Sequence, residues 1–373
     1  MPESADLRRY TGVEKLNKFF FFLLSCLICT PIFIPNFFQF FSSDTQPWYI
    51  LILFGACIFF SKSSKVFLVF VSTTSLLFFL TYLRMLFGLD DALTKYFPIL
   101  FFILFQISLS NHHIRYFLKY AFPVLIFHAF ISWILISFNV TEIFNFLYSS
   151  RENFERSTPF SFPEASYAAK IYCLTGFLLI FYFGREKINQ SRILFFLSIF
   201  TLSATGLIVG LIGLFYSLSS KIKPFLIFLS FLILLLILND VLNLAGRLYA
   251  VELLIKNLFF GSLEFDLSLY TRFLGLENML TEFLNPNFLG SDIGKNSVSI
   301  FLFAQFGILG FFYLGILSLT LLSRFLMLEF SLIIFLAAIF YSDTFIYPVT
   351  IFLMRYLLEE GYNFFFNRKY KAI

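Results

Sequence analysis

The sequence predicts an all-α polytopic integral membrane protein, organised as a single membrane domain over residues 1–373. Three observations predict it. Of the 373 residues, 59% are hydrophobic and only 13% charged, whereas soluble domains run near a quarter charged. The mean hydropathy is +0.86. The apolar residues also fall in long runs, many of them close to the length of a bilayer crossing. Phe occurs 61 times. Toward lipid Phe and Leu are nearly equivalent, so this usage reads as the codon bias of an AT-rich genome and not as an aromatic binding surface.

In order, the runs are 18–41, 48–60, 66–87, 96–110, 116–138, 162–183, 193–219, 224–238, 297–322, 325–341 and 344–358. Several fall short of the ~20 residues a straight span needs, so flanking polar residues or burial among neighbours must complete them. Lys and Arg set the orientation. Lys62 and Lys65, Arg115 and Lys119, Arg185, Lys187 and Arg192, Lys221 and Lys223, Arg324, and Arg368, Lys369 and Lys371 read as basic clusters on cytoplasmic loops. Asp44, Asp90, Asp91, Glu152, Glu155, Asp292 and Asp343 mark the outer side. Arg8, Arg9, Lys15 and Lys18 precede the first run without a small-residue cleavage site after it, which predicts a retained first helix rather than a signal peptide.

One run breaks the alternation of sides. If 193–219 crossed once, Lys221 and Lys223 would lie outside. A tight hairpin restores parity, with its tip at Thr201-Leu202-Ser203-Ala204-Thr205-Gly206, where hydroxyls and Gly can satisfy a turn buried in protein. The arms are then about 10 to 14 residues each, tolerable only inside a bundle. The alternative is one long tilted helix that violates the positive-inside rule. With the hairpin there are about twelve transmembrane crossings, both termini are cytoplasmic, and two polar segments, 139–161 and 239–296, are outer (periplasmic) loops. No internal repeat points to an inverted-repeat transporter.

Cys26, Cys29, Cys57 and Cys173 all lie in apolar runs. The Cys26-Leu-Ile-Cys29 spacing lacks the strand-to-helix context of a redox motif, so all four read as small core residues. The three His are dispersed, without metal-ligand spacing; no metal or other cofactor is expected, and no nucleic-acid partner.

The outer segments hold the residues that could carry chemistry. Ser161-Phe162-Pro163-Glu164 is a capping box with Pro in the first helical turn. Glu164 is therefore explained as a cap, and a carboxylate there could also orient or deprotonate a hydroxyl. Arg156 could pair with Glu152 or Glu155, or offer its planar fork to an anion. Lys170, further into the same helix, is expected to snorkel in preference to contacting substrate. In the second segment the stretches around Arg247 and Arg272 have apolar positions at helical spacing and read as interfacial helices. Each Arg could pair locally, with Glu252 and Glu277 respectively. A turn over 285–294 follows, then a span bearing Gly307-Ile308-Leu309-Gly310, whose glycines suit close helix packing.

This order of segments resembles the O-antigen polymerase family, and more distantly the O-antigen ligases. An Arg precedes a Glu and a Ser at the mouth of a mid-chain helix. A Ser/Thr-Gly turn in a short hairpin comes next, then a long outer loop with an Arg, a Gly turn and a Gly-Ile-Leu-Gly span. The resemblance covers roughly 156–322. Two departures stand out: Pro163-Glu164-Ala165-Ser166 replaces a Glu-Pro-Ser order, and Lys295-Asn296-Ser297 stands where ligases carry a His. The resemblance implies a metal-independent membrane glycosyltransferase in the bacterial inner membrane. Its substrate would be an oligosaccharide repeat unit on undecaprenyl pyrophosphate, its surroundings membrane lipid, and its partners a chain-length regulator and a flippase. The product would be an O-antigen, capsule or exopolysaccharide. Arg156 and Arg272 would clamp the pyrophosphate and Glu164 would serve the acceptor hydroxyl. Arg247, Lys170, Ser166 and Asn296 would contact substrate. The competing readings are a ligase, disfavoured by the missing His, and a flippase or transporter without chemistry, which should carry ionisable groups deep in its spans. His128 is the clearest such group, with Arg84 and Glu329 nearer span ends. A pure scaffold would leave the two Arg loops unexplained.

Overall fold

The computed structural model describes residues 19, 21–23, 25–26, 64–88, 111–138, 165–201, 204–218, 222–224, 308–327, 329, 332–333 and 348–366. Among these residues the chain is all helical, without a strand. The helices are α1 (Ser64–Leu86), α2 (Asn111–Ser137), α3 (Ala165–Phe183), α4 (Ile188–Phe200), α5 (Ala204–Ser217), α6 (Ile308–Leu326) and α7 (Pro348–Phe366). The segments 139–161 and 239–296, expected to be outer loops, and both termini lie outside the described residues.

The helices end where the backbone chemistry changes, not where the apolar runs end. Nothing between Asn111 and Tyr116 breaks a helix, so α2 takes in Arg115 and Lys119, which the sequence had suggested for a loop. Arg324 likewise lies in the last turn of α6, and α7 continues past Leu358 to Phe366. Pro348 opens α7, a position where its missing N–H costs nothing. Gly88, with φ of 70°, closes α1. Gly184, with φ of 61°, closes α3, and one 3-10 turn, Gly184–Lys187, leads into α4. Both glycines take up the left-handed region at little cost.

That turn reverses the chain. Phe177 on α3 meets Phe195 on α4, and Ala169 on α3 meets Ser198 on α4, so these two helices run antiparallel. A second reversal follows Thr201. Arg192 on α4 reaches the Ser217 carbonyl on α5 at 2.9 Å, while Ser198 reaches the Gly206 carbonyl at 3.2 Å. Helices α4 and α5, 13 and 14 residues long, thus pair as a hairpin turning in the region 201–206. The first arm starts at Ile188, five residues before the apolar run, because the stop at Gly184 lets the polar sequence Ile188-Asn189-Gln190-Ser191-Arg192 begin the new helix.

Close approach of these helices depends on missing side chains. A Cβ on Gly176 of α3 would stand 2.6 Å from the Phe195 ring, and one on Gly213 of α5 only 2.4 Å from it. The ring of Phe195 fills a slot between two glycines. On α5, a Cβ at Gly210 would meet the Phe195 carbonyl oxygen at 2.8 Å. Cys173 donates its thiol to the Val209 carbonyl at 3.1 Å, in keeping with a small core residue.

Helix α3 is the hub. Every residue from Ala168 to Leu179 is buried, and α2, α4, α5 and α7 all pack against it. The peripheral helices are arranged the other way round from helices solvated by water. In α1, Arg84 and Thr81 are buried while Phe78, Phe79, Tyr82, Met85 and Leu86 are exposed. In α6, Thr320, Ser323 and Arg324 are buried and Leu319, Leu322, Phe325 and Leu326 exposed. In α4, Ser191 and Ser198 are buried beside Leu194 and Phe195, while Ile193, Phe196 and Phe200 are exposed. Two helical stretches, His113–Ile134 and Ala168–Phe200, are long and apolar enough to cross a membrane. The second contains the reversal at Gly184. Its first arm, α3, is 19 residues long, or about 28 Å at 1.5 Å per residue.

Candidate functional site

Two ends of the bundle differ in chemistry. At one end the start of α2, the end of α3, the start of α4, the ends of α5 and α6 and the second half of α7 converge. Asn111 donates to both carboxylate oxygens of Glu359, at 3.0 and 3.2 Å, and accepts from the Tyr182 hydroxyl at 3.4 Å. Arg324 pairs with Glu329 at 3.1 Å and reaches the Leu357 carbonyl at 3.4 Å, which ties α6 to α7. Phe181 stacks on Tyr356 and also meets Tyr216. Lys223 lies over the Phe215 ring. Arg115 and Arg355 are within electrostatic reach of Tyr182. Arg115, Arg192, Lys223 and Arg324, cations from four separate basic clusters of the sequence, therefore gather at one end.

The opposite end holds the mouth of α3 and the tip of the hairpin. Thr201 donates to the Ser198 carbonyl at 2.7 Å, which gives one of the last α4 carbonyls a partner. Ser198 shares its single hydroxyl proton between the carbonyls of Gly206, 3.2 Å away, and Ala169, 3.0 Å away. A buried hydroxyl so used fixes three helix segments at one point. The Ser/Thr-Gly tip therefore sits against the first turns of α3.

Ser166 lies in the first turn of α3 and Lys170 in the second. Lys170 is only 5% exposed. The stretch of α3 around it, Ala168–Leu179, is buried throughout, so its side chain is enclosed by protein and does not reach outward as its sequence position suggested. Burying an ammonium is expensive unless partners meet it, and Lys170 is not without one. Glu164, Arg156, Arg247, Arg272 and Asn296 lie outside the described residues.

One residue that the sequence marked only as an ionisable group near a span end is turned inward. Arg84 is fully buried in the last turn of α1. The signal was its spacing from Thr81: two polar residues three apart share a face of the second half of α1, which from Leu76 on is otherwise Leu, Phe, Tyr and Met. Part of its role is structural, since a cation in a last turn complements the helix dipole. His128, 3% exposed on α2, has its Nδ1 3.3 Å from the Tyr172 hydroxyl on α3. With Ser132 donating to the His128 carbonyl at 2.8 Å, this is a satisfied packing pair between two helices.

Comparison with protein-family models, with curated proteins and with solved structures gives no match.

Proposed function

We propose that this chain is a polymerase of lipid-linked oligosaccharide repeat units, acting at the outer face of the bacterial inner membrane. In this reading about twelve crossings carry a single membrane domain, and 139–161 and 239–296 are periplasmic loops. The membrane part draws support from the peripheral helices. In water, exposing Phe and Leu while burying Thr, Ser and Arg is the wrong way round; in hydrocarbon it is the favoured arrangement. The topology draws support from the gathering of Arg115, Arg192, Lys223 and Arg324 at one end of the bundle, the end taken as cytoplasmic.

The observation that carries the chemical part is the junction at Ser198. It joins the hairpin tip to α3, whose first turns carry Ser166 and Lys170 and which Glu164 precedes in sequence, so these features meet at the end opposite the cationic cluster. A growing glycan on undecaprenyl pyrophosphate would enter there. A hydroxyl of the incoming unit attacks the reducing-end carbon, the bond from that carbon to the pyrophosphate oxygen breaks, and the hydroxyl proton passes to Glu164 or to solvent. Undecaprenyl pyrophosphate leaves with its charge held by Arg156 and Arg272, aided by Arg247 and Lys170; Ser166 and Asn296 bind sugar. Charge-assisted bonds of this kind are worth about 1.5–3 kcal/mol each, and they act where leaving-group charge develops.

The experiment that tests the reading is the surface glycan of a deletion strain. A polymerase leaves a single repeat unit attached, a ligase leaves none, and a flippase leaves units trapped inside. The flippase is the second reading, and the burial of Lys170 within the bundle is the observation that favours it.

A further inference from the structure

The face of α2 that looks away from the bundle combines features that the proposed polymerisation does not use. Arg115 and Lys119 are exposed, and at four residues apart they stand about 6 Å from each other on one face. Among the described residues neither is in an ion pair. Below them, at helical spacing on the same face, come Phe122, Pro123, Ile126, Phe130 and Trp133, the last two largely exposed. The flanking face of the same turns is occupied: His113 and Tyr116 stack on Phe21, and Tyr120 meets Phe22. Pro123 lies inside α2 and has no N–H, so the Lys119 carbonyl loses its helical donor.

We infer that this stripe is a binding site for one anionic phospholipid whose headgroup carries hydroxyls, in the leaflet at the cationic end of the bundle. The inference rests on the reading of the chain as a membrane protein, not on its being a polymerase. Two like charges four residues apart on a helix repel; a phosphate between them turns that repulsion into two charge-assisted contacts. The Lys119 carbonyl can accept a hydrogen bond from a headgroup hydroxyl. From Lys119 to Trp133 the helix rises about 21 Å, enough for the apolar positions to lie along the acyl chains. A zwitterionic lipid answers the cations poorly, because its own ammonium competes for the phosphate.

The full chain, purified in a mild detergent, would be mixed with phosphatidylglycerol, phosphatidic acid or phosphatidylcholine, and retained lipid counted by native mass spectrometry. Phosphatidylglycerol should be retained over phosphatidylcholine, and Arg115→Gln with Lys119→Gln should weaken that retention about tenfold. Arg185→Gln with Lys187→Gln, an equal loss of charge in the turn after α3, should not. Pro123→Ala supplies an N–H for the Lys119 carbonyl and should reduce retention of phosphatidylglycerol while leaving phosphatidic acid unchanged. Equal retention of all three lipids, or equal loss in both double variants, overturns the site. A protein that stays dispersed without detergent would instead sink the membrane reading itself, and the lipid site with it.

Discussion

Gly210 is the position at which one methyl group tests the hairpin most sharply. A Cβ there would stand 2.8 Å from the Phe195 carbonyl oxygen, 2.7 Å from Ile199 Cγ1 and 3.2 Å from the Ile199 nitrogen. Two of these three atoms are backbone, so no rotamer change relieves the clash. Ordinary contact begins near 3.4 Å, so α4 must retreat from α5 by about 3.4 − 2.8 = 0.6 Å. The same retreat pulls Phe195 from its slot beside Gly176 and Gly213 and stretches the Ser198 junction. Overpacking of this kind costs about 1–3 kcal/mol. Ala is the better helix former by about 1 kcal/mol, which offsets part of the cost. A rigid backbone contact belongs at the upper end, so Gly210→Ala should lose about 2 kcal/mol net. At about 2 °C per kcal/mol for a chain of this size, the melting temperature in detergent should fall by about 4 °C. Gly315→Ala on α6 is the control: a Cβ there has no atom within 4 Å, so only the helix gain remains and stability should rise slightly. If Gly210→Ala melts with Gly315→Ala, at or above the unsubstituted protein, the close α4–α5 packing is wrong.

The remaining predictions concern the ion pair, the topology and the chemistry. Arg324→Gln leaves the Leu357 carbonyl and Glu329 without their cation and should destabilise by about 1–2 kcal/mol, a discounted figure because Glu329 is 28% exposed; adding Glu329→Gln should recover part of the loss on the same melting curve. In a cysteine-free background, Ser149→Cys should react with an impermeant thiol reagent from outside and Asn189→Cys, exposed at the start of α4, only after the membrane is opened; the reverse order overturns the hairpin's orientation. Lys170→Met keeps the volume of the buried side chain without its charge, so the protein should accumulate in the membrane while glycan ladders shorten; unchanged ladders would leave Lys170 a packing residue. Arg272→Lys should cost nearly as much activity as Arg272→Ala, about 2–4 kcal/mol of transition-state binding, because an ammonium cannot reproduce the guanidinium fork.

The hairpin was legible because two independent constraints met there. Lys221 and Lys223 demanded an even number of crossings between them and Arg192, and only Thr201 to Gly206 offered a polar tip. The hub role of α3 was not legible, because lipid and protein interior are equally apolar. A helix enclosed by neighbours and one facing acyl chains read alike, as Leu and Phe throughout. The burial of Lys170 followed from that packing, and the expectation of snorkelling assumed a lipid-facing helix. Arg84 escaped for the same reason: its sequence position near a span end has a ready explanation, and only the packing shows it turned inward. The helix ends at Asn111 and Phe366 lie beyond the apolar runs because backbone hydrogen bonding continues into polar sequence where nothing interrupts it. Of the proposed site, Ser166 and Lys170 fall on α3, while Glu164, Arg156, Arg247, Arg272 and Asn296 lie in segments outside the described residues.

The measurement that tests the central claim most directly is chain growth by the purified protein alone. The chain would be reconstituted in vesicles with a single undecaprenyl-pyrophosphate-linked repeat unit and no other protein, and the products separated by size. The account predicts a ladder of lengthened glycans, release of undecaprenyl pyrophosphate in step with each added unit, and loss of both when Arg156 and Arg272 are replaced by Ala. Repeat units that stay single in the unsubstituted protein, whether or not they change leaflet, would contradict it.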